Sequence, residues 1–127
     1  MRFLFGLLKI FTTYVLLLLL LSCSNKLPSE INENNKPSEI IKLGDEAYKK
    51  GYFERAGDYY LEVNKYFPYS LEDELALSKA VDAFYRANKL EDSRLAAGKF
   101  LSLYPESSKA QKVLYFRSKS FCDEIDI

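Results

Sequence analysis

The chain has 127 residues, room for one domain, with 18 basic and 18 acidic side chains, five scattered glycines, two cysteines and no histidine. Without histidine there is no Ser-His or Cys-His nucleophile and no His-ligated zinc site; no serine has a lysine three residues on, and no glycine loop can cradle a phosphate. The first 22 positions hold two bases and no acid, so the remainder carries 16 bases against 18 acids, interleaved as on solvated helices and lacking the basic stripe that nucleic acid requires.

Arg2 and Lys9 flank the start of an apolar stretch whose uncharged part, Ile10 to Leu21, is 12 residues long. A spanning helix needs about 20 apolar residues, so residues 1–22 read as a signal peptide, with an uncleaved N-terminus as the alternative. Leu20-Leu21-Ser22-Cys23 follows directly and resembles the bacterial lipobox. That resemblance implies cleavage before Cys23, diacylglycerol on its thiol and an acyl chain on its new amine; no metal and no other cofactor is expected. More than one chain is needed because each buried methylene contributes about 0.8 kcal/mol and a single chain anchors only marginally. The alternative is an ordinary signal peptide with an incidental cysteine, and a Cys23–Cys122 disulfide is the naive reading of two cysteines in an exported chain. Ser24, where aspartate would retain a Gram-negative lipoprotein at the inner membrane, implies onward export to the outer membrane.

Residues 23–36 comprise the acylated cysteine and a polar segment with too few large apolar residues to bury a core. The 13 residues from Ser24 to Lys36 read as a flexible tether. Its reach is about 20 Å as a coil and about 45 Å when straight.

From 37 to 127 the chain repeats itself. A shift of 37 residues brings Ile40 onto Leu77, Tyr48 onto Tyr85, Lys49 onto Arg86, Val63 onto Phe100 and Pro68 onto Pro105 without a gap. Leu114 and Phe121 begin a third copy in the places of Leu77 and Phe84. Within each copy the apolar period is helical: Ile40, Gly44, Ala47 and Tyr48 form one stripe, and Ala56, Tyr60, Val63 and Phe67 a second. Breaks are predicted near Gly51, Pro68, Asn88 and Pro105. Short loops between amphipathic helices make helical hairpins, so the fold class is all-α.

The segment LGDEAYKKGYFERAGDYYLEVNKYFP is similar to a tetratricopeptide repeat, with Leu43-Gly44, Gly51, Ala56, Tyr60 and Pro68 at its landmarks. Two full repeats and the first helix of a third are expected. Gly44 and Ala56 let paired helices approach closely, whereas the second copy has Val81 and Ser93 there. Combined with the lipobox, the tether and helices ending in KYFPYS and SLYPESS, the chain resembles the BamD family of outer-membrane assembly lipoproteins. The family usually has more repeats, so the chain reads as truncated. The resemblance implies a lipid-anchored binding component of the β-barrel assembly complex and no enzyme. Its implied partners are the central barrel protein, accessory lipoproteins, unfolded outer-membrane proteins and the membrane itself. The alternatives are another envelope repeat lipoprotein, such as a pilotin or a cell-wall coordination factor, and, from a different class, a periplasmic hydrolase.

In tetratricopeptide repeats the first helix of each hairpin lines a concave groove. Its recurring places fall here on Ile41, Asp45, Tyr48 and Lys49, then on Ser78, Asp82, Tyr85 and Arg86, and then on Tyr115 and Lys119. The recurrence of Asp, Tyr and a base reads as a peptide-binding face; solvated i,i+4 pairs of Asp45 with Lys49 and Asp82 with Arg86 explain the charges equally well. Tyr59 and Tyr66 are expected on the back face. The acidic runs Glu72-Asp73-Glu74 and Asp123-Glu124 are expected in solvent, Cys122 as a small packing residue, and Val113, Leu114 and Phe121 as uncovered on the far side of the last helix.

Overall fold

The helix boundaries come from local signals that occur twice, one repeat apart. The computed structural model describes residues 1–20 and 31–125; among them are six α-helices and no strand. These are α1 (Arg2–Leu20), α2 (Pro37–Lys49), α3 (Phe53–Tyr66), α4 (Leu71–Arg86), α5 (Leu90–Leu103) and α6 (Ala110–Ile125). Helix α2 starts at a proline in its first turn, after an extended Lys36 whose N–H donates to the Glu39 carboxylate at 3.3 Å. It ends at Gly51, with φ of 81°, where the N–H groups of Gly51 and Tyr52 return to the carbonyls of Tyr48 and Ala47. Asn88, with φ of 58°, closes α4 in the same way: the N–H groups of Asn88 and Lys89 return to Tyr85 and Phe84. Phe67 and Tyr104 stop α3 and α5 with the same φ of −131°, each before a proline that disfavours the helical region for its predecessor.

The helices pair as expected: α2 with α3 and α4 with α5 form tetratricopeptide hairpins, and α6 stands where the first helix of a third hairpin belongs. Each helix from α2 onward packs on the next. The first helices α2, α4 and α6 also touch side by side, whereas α3 and α5 do not. The array therefore curves toward the side that α2, α4 and α6 line. The expected apolar stripes form the core, with Ile40, Ala56, Val63, Leu77, Val81, Ala97 and Phe100 fully buried.

The two copies make opposite size choices at matching positions. A methyl on Gly44 would stand 2.5 Å from the Tyr60 ring, so glycine is what admits that ring. One repeat on, the large and small partners exchange, with Val81 facing the place of Gly44 and Ala97 that of Tyr60. Ser93, at the place of Ala56, is buried and satisfies its hydroxyl on the Val81 carbonyl at 2.8 Å. Gly57 likewise admits Phe84, 2.7 Å from where its methyl would be. The equivalent pair is Arg94 and Phe121, with the guanidinium 4.8 Å above the ring.

Several expectations are corrected. The span taken as tether is ordered from Ile31 onward: Ile31 packs against the core and 32–35 form a turn closed by the Asn32 and Asn35 side chains. Asp73 is buried, not solvated. Its two carboxylate oxygens both accept from Asn64 Nδ2 (2.9 and 3.1 Å), and one of them also from the Tyr69 N–H (3.0 Å) and the Tyr104 hydroxyl (2.6 Å), tying the first hairpin to the end of the second. Tyr59, beside Leu43 and Ala47 of α2, and Val113 are buried in the core, whereas Leu114 and Phe121 stay about half exposed. Cys122 is exposed. Cys23 and Ser24 lie outside the described residues. No described helix is long and apolar enough to cross a membrane.

Candidate peptide-binding groove

The concave side holds a groove of about 440 Å³ lined by Asp45, Tyr48 and Lys49 of α2, Tyr60 of α3, Leu75, Ser78, Lys79 and Asp82 of α4, and Lys109 and Lys112 at the start of α6. Two carboxylates organise it. Asp45 accepts from the Tyr60 hydroxyl at 2.6 Å and from the Lys79 ammonium at 2.8 Å. Burial raises its pKa, but the bonds from Lys79 and Tyr60 outweigh burial and hold the carboxyl below its ordinary value. Burial, reinforced by the Asp45 charge, pushes the Tyr60 phenol far above its own. Asp82 is the second hub. It takes the Tyr48 hydroxyl at 3.2 Å and Arg86 Nε at 2.9 Å, with the Lys112 ammonium at 3.7 Å. Tyr48 is raised by burial first and by Asp82 next.

A peg from the following loop fixes the far wall. Ser107 donates to Glu74, whose carboxyl is lowered chiefly by that bond, and Lys109 pairs with the same carboxylate at 3.3 Å. This places Lys109 and Lys112 over the groove mouth.

Of the residues expected to line the groove, Asp45, Tyr48, Lys49, Ser78 and Asp82 do so. Ser78 is nearly buried, its hydroxyl turned back to the Leu75 carbonyl at 2.8 Å. Ile41 is corrected: it is 8% exposed and belongs to the core, because it lies on the α2 face that packs inward. Tyr85, Arg86, Tyr115 and Lys119 are outside the groove. Tyr85 instead donates to Asp123 and tilts against Phe116 at 5.2 Å, and Lys119 pairs with Asp123 at 3.3 Å. Tyr115 is exposed and edges onto Phe116. The pair Asp82–Arg86 forms as expected, but Asp45 takes Lys79 from the neighbouring helix in place of Lys49.

Tyr60, Leu75, Lys79, Lys109 and Lys112 line the groove although the repeat pattern did not single them out. In repeat register the groove crosses α4 one to two turns nearer its N-terminus than it crosses α2, and α6 nearer still. The usable signal was the column Ser38, Leu75, Lys112, spaced by the repeat, which lies one turn before the expected places.

The profile of the YfiO family, described as outer membrane lipoprotein, matches residues 33–126. The chain belongs to this family. With it goes placement at the outer membrane. The match covers both hairpins and α6, and it begins within the turn that precedes α2. The outer membrane protein assembly factor BamD of Caulobacter vibrioides is 26% identical over 100 residues, which is 79% of this chain and 33% of that protein. The chain therefore spans about a third of the length of the curated relative it matches. No solved structure matches.

Proposed function

We propose that the protein is a lipid-anchored binding component of outer-membrane protein assembly, held through acylated Cys23 at the periplasmic face and receiving unfolded outer-membrane polypeptides in the groove of α2, α4 and α6. The observation that carries this reading is the groove itself: three adjacent helices present an aromatic, charge-lined concave surface on a family scaffold shared with a BamD relative. Extended peptides suit such a surface, since first helices packed at about 8–10 Å give a crossing of about 20 Å, the length of six extended residues. The rest of the complex, namely the central barrel protein and accessory lipoproteins, supplies the remaining partners. Residues 1–22 serve as the signal peptide, and Cys23 as the point of attachment to the membrane. The role proposed is binding, as the family match and the BamD relative support.

The test is titration of a labelled unfolded barrel segment against the chain and against Tyr48→Ala and Ser78→Arg variants, with circular dichroism as the check on folding. Tyr48 truncation removes the groove's central ring, and Ser78→Arg fills its floor; each should weaken binding at least tenfold. Tyr66→Ala, on α3 away from the groove, should change it less than twofold. Equal losses from all three variants would show that the ligand sits elsewhere.

A further inference from the structure

The sign of the groove's charge is opposite to that of the domain around it. Beyond residue 22 the chain holds 16 bases and 18 acids. At the groove, however, the lining holds Lys49, Lys79, Lys109 and Lys112 against only Asp45 and Asp82. Lys79 and Lys109 are spoken for, at 2.8 Å from Asp45 and 3.3 Å from Glu74. Asp82 already holds Arg86 at 2.9 Å and the Tyr48 hydroxyl at 3.2 Å, so Lys112 stands off at 3.7 Å. Lys49 forms no ion pair among the described residues. Two ammonium groups, one on α2 and one on α6, therefore line the groove with looser partners than the others, Lys49 near Asp45 without a direct pair and Lys112 at 3.7 Å from Asp82.

The floor between them is apolar. The Tyr48 hydroxyl is turned onto Asp82, and Tyr60 is fully buried beneath with its hydroxyl on Asp45, leaving the Tyr48 ring and the partly exposed Leu75 toward the groove. In an extended chain, residues i and i+2 point to the same side. A segment whose carboxylate reaches the Lys49–Lys112 pair can thus set an apolar side chain on Tyr48 and Leu75 two residues away.

On this basis, and resting on the groove reading above, we infer that the groove selects extended segments carrying an acidic side chain two residues from a large apolar one, with Lys49 and Lys112 as the residues that read the acid. An excess of positive charge in a concave site strengthens attraction for an anion and makes it sensitive to salt.

The test uses octapeptides acetylated and amidated at their ends, with one Glu two residues from one Phe, titrated against the chain by fluorescence anisotropy at low and at physiological salt. The expected result is that Glu→Gln in the peptide weakens binding about tenfold at low salt, and less at physiological salt. The Lys49→Gln, Lys112→Gln double variant should bind the Gln peptide as the unaltered chain does and lose the preference for Glu. Equal affinity for both peptides would overturn the inference while leaving peptide binding by the groove intact. A Gln peptide with a free terminal carboxylate that binds as well as the capped Glu peptide would also overturn it, since the acid read would then be the chain terminus. Failure of every peptide to bind would overturn the groove reading as well.

Discussion

Replacing Asp73 by alanine should destabilise the repeat array more than any surface change of similar size. The carboxylate is fully buried at the first turn of α4 and takes four hydrogen bonds, none from a cation: two from Asn64, one from the Tyr69 N–H and one from the Tyr104 hydroxyl. Removing it leaves the donors of α3, the α3–α4 loop and the end of α5 without an acceptor, at about 1–3 kcal/mol for each buried group. Part of that loss is offset, because the desolvation cost of a buried charge disappears too. The net is about 3 kcal/mol. An array of this size has about 5–14 kcal/mol of stability in all, and each kcal/mol shifts its Tm by about 4–8 °C, so Tm should fall by about 12–24 °C. Tyr104→Phe removes one donor to a charged acceptor and should cost about 1.5–3 kcal/mol. In the Asp73→Ala background the same change should cost almost nothing, since the hydroxyl has already lost its acceptor. Urea unfolding followed by far-UV circular dichroism measures all four variants. A loss under 1 kcal/mol for Asp73→Ala, or additive losses for the pair, would refute the claim that this carboxylate locks one hairpin to the next.

Gly44→Ala should destabilise by about 1–3 kcal/mol in the same urea assay, because its methyl meets a Tyr60 ring held by the Asp45 bond. Gly98→Ala, where a methyl meets nothing within 4 Å on α5, should instead stabilise by about 0.5–1 kcal/mol. Acid should loosen the groove. The folded pKa of Asp45 lies below its ordinary 3.8, so its contribution is complete above that value and disappears as pH falls through the lowered one; urea midpoints taken from pH 5 down to about pH 2 should fall less steeply for Asp45→Asn than for the unaltered chain. Cys23→Ser should abolish incorporation of radiolabelled palmitate and leave the precursor uncleaved, and equal labelling of both forms would exclude the lipid anchor.

Periodicity alone carried the helices and their faces. The spacing of Ile40 with Leu77 and Pro68 with Pro105 located every break, and the buried stripes are those the sequence marks. Contacts made by a third helix were not legible in it. Asp73 sits where an acid ordinarily caps a helix in water, and only the arrival of Tyr104, 31 residues on, makes it a buried node. Tyr59 reads as a back-face residue by its repeat position, and its burial beside Leu43 and Ala47 of α2 is not visible in the pattern. Exchange of sizes between Gly44 with Tyr60 and Val81 with Ala97 was equally hidden, since each residue alone reads as a departure from its repeat. At the groove, the Asp and Tyr column was visible, but the groove's shift toward the N-termini of α4 and α6 brought in Lys79, Lys109 and Lys112 from neighbouring turns.

Site-specific photo-cross-linking during assembly reports whether the groove holds an unfolded barrel protein. A benzophenone side chain is placed at Ser78 or Lys49 inside the groove, or at Glu62 on the outer helix α3, and the chain is irradiated while a barrel protein is being delivered unfolded to the outer membrane. The account predicts adducts with the unfolded barrel protein from Ser78 and Lys49 and none from Glu62, fading as the barrel protein completes folding. Adducts of equal yield from Glu62, or none from either groove position, would contradict it.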